Sequence, residues 1–337
     1  MDKKKLEHFR ETISNHHEEL LQWLSSKEDN DHDSQLGGAD VRKVLHLVSE
    51  LKSTLERIDR GRFGECKVCQ GEVNLEYLEM DWTADICLEH YSELQLRQLE
   101  RDLELAVKVH NQLLPCCVPA LDGLETAFFN KPARFIGGDY FDFFYDKSDK
   151  QGFVVGDVMG KGMPASMLVA NLQASLRILG PTYDHMGKLM EHLNRLFRYN
   201  VKLIRFISLF LLTVDIRNNH LNYANAGHHP ALLFVNKTGL IKWLKPTGAA
   251  LGLIKNSEYI VKSCDFNTGD IILLYTDGLV EARNDRAEEY GEERLEKFVR
   301  KYHTVPVQDF VNRLHDEVES FAEAITDDLT IVTVKRV

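Results

Sequence analysis

The sequence predicts an α+β protein. Its larger part is a layered domain of antiparallel sheets with helices packed outside, and a helical hairpin, a cysteine-rich knuckle and a connecting helix precede it. Three observations predict this. After residue 120, short apolar runs of β type follow one another: "FVVGDV", "FISLFLLTVDI", "HLNYANAG", "ALLFV", "DIILLYTDG" and "LTIVTVK". They come in consecutive hairpin-like pairs rather than in strict alternation with helices, which favours antiparallel sheets. Helix-patterned stretches at about 164–179, 184–200, 292–301 and 307–321 interleave with them.

Taken in order, the first 60 residues are helical in pattern. Leu6, Phe9, Ile13, Leu20 and Leu24 keep one apolar face, and Val41, Val44, Val48, Leu51, Leu55 and Ile58 alternate by threes and fours. The acidic, glycine-containing stretch "SSKEDNDHDSQLGGAD" between them cannot continue a packed helix, so the pair reads as a hairpin with an acidic tip. From about 91 to 114, Leu96, Leu99, Leu103, Ala106 and Leu113 mark a connecting helix, ended by the prolines of "LLPCCVP". Its heptad-like stripe offers a seam for a homodimer. The expected domains are therefore 1–90, 91–119 and 120–337.

Composition narrows the function. A length of 337 residues suggests more than one domain. The formal net charge of -11 argues against a general grip on nucleic acid, which needs a basic face. No apolar segment follows the basic start, and the longest apolar run, "FISLFLLTV", is about half a membrane span. A cytoplasmic protein with no membrane partner is expected, and in that compartment the six cysteines serve as thiols or metal ligands rather than disulfides. Cys116 and Cys117 read as small residues near a turn, and Cys264 as strand filler.

"CKVCQGEVNLEYLEMDWTADICLEH" carries Cys66 and Cys69, then seventeen intervening residues, then Cys87 and His90. Paired ligands two residues apart form tight knuckles, and two knuckles converge on a tetrahedron that suits zinc. Four protein ligands leave no open position, so one structural Zn2+ is expected. The stretch "ERIDRGRFGECKVCQGEVNLEYLEMDWTADICLEH" resembles the zinc-finger region of the DksA/TraR proteins, with His90 where that family usually has cysteine. The resemblance implies a helical hairpin fused to a zinc finger, and RNA polymerase as a candidate partner.

Four aspartate motifs follow. "FIGGDYFDFF", "VVGDVMGKG", "ILLYTDGLVEA" and "TDDLTIVTV" place Asp139, Asp157, Asp277, and the pair Asp327 and Asp328 at strand ends beside turns. Rigid strands can aim such carboxylates at one centre, where they repel unless a cation lies among them. All-oxygen ligation points to a hard divalent ion, Mg2+ or Mn2+. The loop "GDVMGKGMPAS" is not a nucleotide loop: only three residues separate Gly156 from Gly160, and Gly162 stands where a metal-binding hydroxyl is needed. It reads as a metal loop.

"ARFIGGDYFDFF", "GDVMGKGMPASMLVA", "YANAGHHPALL", "GDIILLYTDGLVEARN" and "DDLTIVTV" together resemble the SpoIIE/RsbU group of metal-dependent serine/threonine phosphatases (PPM, type 2C), over nearly all of 120–337. The resemblance implies an α-β-β-α sandwich with two Mn2+ or Mg2+ ions at one edge of the sheets. It places Asp139, Asp157, Asp277 and Asp327 as catalytic metal ligands, with the carbonyl of Val158 contributing and Asp328 as a further candidate. Phe135, where many members carry an acidic residue, is not expected to be a ligand. The "NAGHHP" loop is expected to be structural, and His228 no catalytic acid. The implied reaction is hydrolysis of phosphoserine or phosphothreonine by a water activated between the metals. The substrate would be a phosphorylated regulatory protein such as an anti-sigma-factor antagonist, with the zinc module regulating or docking. The alternative is an RNA-polymerase-binding transcription regulator whose C-terminal domain is a scaffold or sensor.

Overall fold

The computed structural model of the chain describes residues 3–28, 39–90, 93–118, 122–148, 150–160, 162–200 and 206–337. The chain divides into two compact units, Met1–Leu103 and Glu104–Val337. Among the described residues, no helix is long and apolar enough to cross a membrane.

In the first unit, α1 (Lys3–Glu28) and α2 (Ala39–Asp59) pack together. Arg10, early in α1, meets Asp59 at the end of α2 at 3.0 Å, so the two run antiparallel. Phe9, Ile13 and Leu20 of α1 and Leu51 and Ile58 of α2 share one buried cluster with Phe63, Cys66, Val73, Leu78 and Cys87. The helix pair and the cysteine knuckle therefore form one core. Leu78 comes from the short α3 (Leu75–Met80) between the two cysteine pairs. Most of the acidic tip expected between the helices, residues 29–38, lies outside the described residues. The connecting helix, α4 (Glu93–Leu113), runs across the division between the units.

The second unit opens with β1 (Leu124–Lys131), β2 (Asp139–Tyr145) and β3 (Gln151–Val158), then α5 (Met163–Leu179) and α6 (Met186–Asn200). There follow β4 (Ile207–Asp215), β5 (His220–Ala226), β6 (Ala231–Val235), β7 (Leu240–Leu244), β8 (Lys262–Asp265) and β9 (Ile271–Tyr275). The chain closes with α7 (Asp277–Val280), α8 (Gly291–Tyr302), α9 (Val307–Phe321) and β10 (Leu329–Arg336). One sheet has the order β1-β10-β9-β6-β7 and the other β2-β3-β4-β5-β8, with every neighbouring pair antiparallel.

Period-two alternation assigns the strand residues to layers. In β9, Ile271, Leu273 and Tyr275 pack with Leu295, Phe298, Phe310 and Leu314 of α8 and α9. In β4, Ile207, Leu209 and Leu211 pack with Val169, Leu172, Leu189 and Leu193 of α5 and α6. The intervening residues, Ile272 and Leu274 in β9 and Phe210, Leu212 and Val214 in β4, meet between the sheets with Phe141, Phe153, Val155, Val332 and Val334. Two antiparallel sheets thus lie face to face with helices on both outer surfaces, the mixed α+β arrangement expected.

Several strands were not legible. β1, β7 and β8 lie at sheet edges, and their half-exposed faces weaken the alternation that reveals a strand. β2 was read only as a carboxylate after two glycines, yet it carries that aspartate as its first residue. Two pairings join distant segments: β1 with β10 in the register Leu124↔Arg336 to Lys131↔Leu329, and β6 with β9.

Phe210 has no exposed surface and lies parallel to Tyr223, with ring centroids 5.5 Å apart. Phe210→Ala is expected to destabilise the second unit by about 3–5 kcal/mol through lost burial and a cavity between the sheets. Urea unfolding followed by circular dichroism checks this; an unchanged midpoint would contradict the layer assignment.

Candidate metal centre and cysteine knuckle

The inward register that fills the space between the sheets with apolar side chains continues past the ends of those runs, where the residues become polar. Asp139 and Asp157 are direct partners across β2 and β3, on the same inward face as Phe141, Phe153 and Val155. From the facing sheet come Thr276, following Ile272 and Leu274 by steps of two, and Thr330, preceding Val332 and Val334 likewise. The seam between the two sheets therefore turns from oil to acid within one residue pair.

Asp139 is almost fully buried, and its Oδ2 accepts two hydroxyl hydrogen bonds, from Thr276 at 2.7 Å and Thr330 at 2.6 Å. Asn130 of β1 donates to the Thr330 hydroxyl at 2.8 Å, and the Thr330 amide donates to the Thr276 hydroxyl at 3.0 Å. Burial pushes the Asp139 carboxyl well above the usual carboxylate range. Asp157 and Asp328 push it further, while the Thr330 and Thr276 hydroxyls pull it back. Asp277 is raised as well, first by burial, then by the charges of Asp327 and Glu281, against a lowering by His229.

Close backbone approaches bring the motifs together. The Val158 amide donates to the Gly138 carbonyl at 3.2 Å, and a Cβ on Gly138 would lie 2.8 Å from the Val158 carbonyl oxygen. A Cβ on Gly278 would lie 2.1 Å from the Asp328 carbonyl oxygen. Any larger residue at either position would part Asp139 from the Val158 carbonyl, or Asp277 from the Asp327-Asp328 pair. The structure thus sets Asp139 beside Asp157, Gly138 against the Val158 carbonyl, and Asp277 beside Asp327 and the Asp328 backbone.

Asp328, a further candidate ligand by sequence, has both carboxylate oxygens in contact with backbone amides. Its Oδ1 accepts from the Ala133 amide at 2.7 Å and its Oδ2 from the Gly138 amide at 2.6 Å. Both oxygens are engaged in holding the loop 133–138 in front of Asp139.

His228 is buried and ties the sheets together. Its Nε2–H donates to the Tyr275 carbonyl of β9 at 3.1 Å, so its Nδ1 is the acceptor for the Ser208 hydroxyl of β4 at 2.7 Å. Burial, then the neighbouring His229, lowers its pKa to about 3, which keeps the ring neutral. Asn225 closes the same loop, accepting from the His228 amide at 2.7 Å and donating to its carbonyl at 3.0 Å. This is the geometry of a structural loop. His229 is different: its ring, Asp277 and Glu281 offer ligand atoms within 4.8 Å of one another. Sequence reasoning missed Glu281, although "DGLVE" places it one helical turn after Asp277, whose carbonyl accepts its amide at 2.8 Å. Thr276, Thr330 and Asn130 were missed too, because nothing in their local sequence distinguishes them from ordinary strand residues.

In the first unit, Cys66, Cys69, Cys87 and His90 bring their ligand atoms within 4.8 Å of one another. The Cys69 and Cys87 sulfurs are 3.7 Å apart, close to the edge of about 3.8 Å of a tetrahedron with zinc–sulfur bonds of about 2.3 Å. Backbone amides aim at the sulfurs: Val68 and Cys87 at Cys66 Sγ, 3.4 and 3.3 Å, and Gly71 at Cys69 Sγ, 3.3 Å. For Cys66, burial opposes ionisation but the amides of Cys69, Cys87 and Val68 outweigh it and bring the thiol down to about 6. Burial, then hydrogen bonds with Cys66 and Cys69, raises Cys87 to about 11. This donor set fits a soft cation, and the knuckle could hold a metal.

Comparison with known proteins agrees with the fold of the second unit. The SiaA-PP2C domain of Pseudomonas aeruginosa superposes with a TM-score of 0.62 at 19% identity, covering 71% of this chain and 98% of that one. The RsbU and RsbW domains of Rv1364c from Mycobacterium tuberculosis superpose at 0.56 and 26%, covering 67% of this chain and 63% of that one. The two-sheet sandwich is thus a PP2C-like fold. By sequence, phosphoserine phosphatase RsbU of Bacillus subtilis (strain 168) is 26% identical over 241 residues, 71% of each chain. Residues 147–337 match the family described as Stage II sporulation protein E (SpoIIE). The chain belongs to the SpoIIE family and is a serine/threonine phosphatase of the PPM type. Phosphatases of this kind use Mn2+ or Mg2+.

The raised Asp139 has a sign that can be tested. Its carboxyl titrates near 3.9 in the unfolded chain, so between that value and its raised folded value the folded state holds the extra proton. Stability of the metal-free protein therefore falls as pH rises through that window. In EDTA, the Asp139→Asn protein is expected to melt above the unsubstituted chain at neutral pH, the gap closing as pH falls toward about 4. Mn2+ should raise the melting temperature of the unsubstituted chain more than that of the variant. Thermal scans across pH, with and without Mn2+, check both statements.

Proposed function

We propose that the second unit hydrolyses phosphoserine or phosphothreonine on a phosphorylated regulatory protein, with two Mn2+ or Mg2+ ions held by Asp139, Asp157, Asp277 and Asp327 and by the carbonyl of Val158. The observation that carries this reading is the approach of carboxylates from four sequence regions, buried Asp139 beside Asp157 and half-buried Asp277 beside Asp327, with Asp139 and Asp277 both pushed toward their protonated forms by burial and neighbouring acids. Such a donor set is all oxygen and strongly cation-seeking. At a two-metal centre, bound cations supply an acidified water and positive charge for the phosphoryl oxygens.

The chain's own residues do the rest. Thr276 and Thr330 orient Asp139 through Oδ2. Asp328 acts as a positioning residue, holding the loop that precedes Asp139 through two backbone amides. His228 and Asn225 keep the sheets in register behind the site, with the imidazole neutral.

We assign Cys66, Cys69, Cys87 and His90 to one structural Zn2+, in a module like the DksA/TraR finger that regulates or docks the phosphatase. The route would be α4. Inside the second unit, the Gln173 side chain of α5 donates to the Leu113 carbonyl at the end of α4. The buried His110 of α4 feels the charge of Asp328. A displaced α4 would thus reach both the helix after the Asp157 loop and the residue that clamps the loop before Asp139. The relative named phosphoserine phosphatase RsbU supports a phosphoserine substrate.

Two measurements test these assignments. Purified protein with Mn2+ is expected to hydrolyse p-nitrophenyl phosphate. EDTA should abolish the activity, and Asp277→Asn should lower it by about 10²-fold or more at equal folding. Undiminished turnover in Asp277→Asn would remove Asp277 from the site. For the knuckle, metal analysis of the full chain should find one zinc per molecule, lost in Cys66→Ser, with a changed Mn2+-dependent rate. Retained zinc in that variant would refute the ligand set, and an unchanged rate would refute the regulatory role.

A further inference from the structure

Three of the six cysteines lie in the knuckle, and Cys264 is half-buried in β8. The remaining two, Cys116 and Cys117, are adjacent in sequence and both exposed, and their sulfurs lie 3.7 Å apart. Neighbouring residues in an extended chain send their side chains to opposite sides. Here the backbone bends at both residues, directly after Pro115, and the two sulfurs converge. Hydrogen bonding with Cys116, then its charge, raises the Cys117 thiol above its ordinary value, and burial adds to this. Cys117 therefore keeps its proton when Cys116 has lost its own. An exposed thiolate beside a second, protonated thiol is the arrangement in which a first oxidation is resolved to a disulfide.

The pair sits in a connection that is anchored on both sides within the second unit. Before it, the Leu113 carbonyl accepts from the Gln173 side chain of α5. Leu114 packs both between the sheets and against the cluster of α5 and α6. After it, the Gly123 carbonyl accepts from the Val337 amide at 3.1 Å and from the Arg336 guanidinium at 2.7 Å. A disulfide needs its sulfurs about 2.05 Å apart, so bridging requires the backbone at the pair to shift. Two residues upstream of Cys116 the shift meets Leu114, and then Leu113 with its bond to Gln173. Helix α5 follows the loop that carries Asp157 and Val158. Adjacent Cα atoms are about 3.8 Å apart, closer than the roughly 4.4–6.8 Å usual for bridged cysteines. A bridge held under that strain is readily reduced, which suits a reversible change rather than a permanent staple.

We propose that Cys116 and Cys117 form a thiol switch: a hydroperoxide oxidises the pair to a disulfide, and the bridge lowers the Mn2+-dependent phosphatase rate. With hydrogen peroxide, the Cys116 thiolate attacks one oxygen and becomes a sulfenic acid, releasing hydroxide. The Cys117 thiol then attacks that sulfur, the hydroxyl leaves with the thiol proton as water, and the sulfur–sulfur bond forms. In sum, two thiols lose two electrons and two protons, and the peroxide becomes two waters. A small thiol reductant reverses the change by exchange.

The test uses the full chain, reduced, treated with equimolar hydrogen peroxide, desalted, and assayed with Mn2+ on p-nitrophenyl phosphate. Mass spectrometry of the tryptic peptide 109–134 is expected to show it two hydrogens lighter and closed to alkylation. The rate should fall by about threefold or more, since small misplacements far from the chemistry are costly, and dithiothreitol should restore it. The Cys116→Ser/Cys117→Ser variant, altered only at exposed positions, should match the reduced chain within about twofold and lose this response. Oxidation at the knuckle would slow both proteins alike, so the difference between them reports the pair. No bridge in the peptide, a bridge without a change in rate, or an equal loss in the variant would each overturn the switch. All three leave the Mn2+-dependent activity of the reduced chain, and so the phosphatase, standing.

Discussion

Mutual repulsion among carboxylates that the fold forces together is the constraint on which the second unit depends. Asp139 is buried beside Asp157 and Asp328, and each neighbour opposes its ionisation. Two sheets with a well-packed interior are needed to hold such groups in place, because a softer scaffold would relieve the strain by letting them separate. The hydroxyls of Thr276 and Thr330 offset part of the repulsion, and they reach Asp139 only because their strand register continues the inward face of the opposite sheet.

The same constraint accounts for features that look unrelated along the chain. Gly138 and Gly278 sit where backbone must pass within contact distance of the Val158 and Asp328 carbonyls. Asp328 turns its whole carboxylate toward two amides and so fixes the loop that delivers Asp139. His228 spans the sheets as a neutral ring, adding hydrogen bonds without adding charge beside an acidic site. Each of these holds position and contributes little else, which is what an arrangement dominated by like charges demands.

The two candidate metal sites differ in the softness of their donors, and that difference keeps their cations apart. Carboxylates and a backbone carbonyl favour small hard ions, whereas three thiols and an imidazole favour zinc. The thiol site shares its core with the helices α1 and α2, through Cys66 and Cys87 packed beside Phe63 and Leu51. A metal held there would tie the knuckle to the helix pair, so that the state of one bears on the other.

By itself the sequence determined the classes of chemistry and most of the elements. The C-x2-C and C-x2-H pairs, the aspartates at strand ends and the apolar periodicities are local patterns, and local spacing survives any arrangement in space. The layering followed as well, since alternating residues in β4 and β9 must face two different apolar environments. Tertiary structure alone decided which residues serve the aspartates. Thr276 and Thr330 lie far in sequence from Asp139, and only the pairing of β9 with β10 and the facing of the two sheets brings their side chains to it; Asn130 meets Thr330 through the pairing of β1 with β10. It also separated Asp328 from its neighbour Asp327: the chain bends at Asp327 just before β10, and Asp328 turns to the Ala133 and Gly138 amides while Asp327 lies near Asp277. Side-chain chemistry is written in the chain, but the partner that a side chain meets is fixed by packing between segments that the chain keeps far apart.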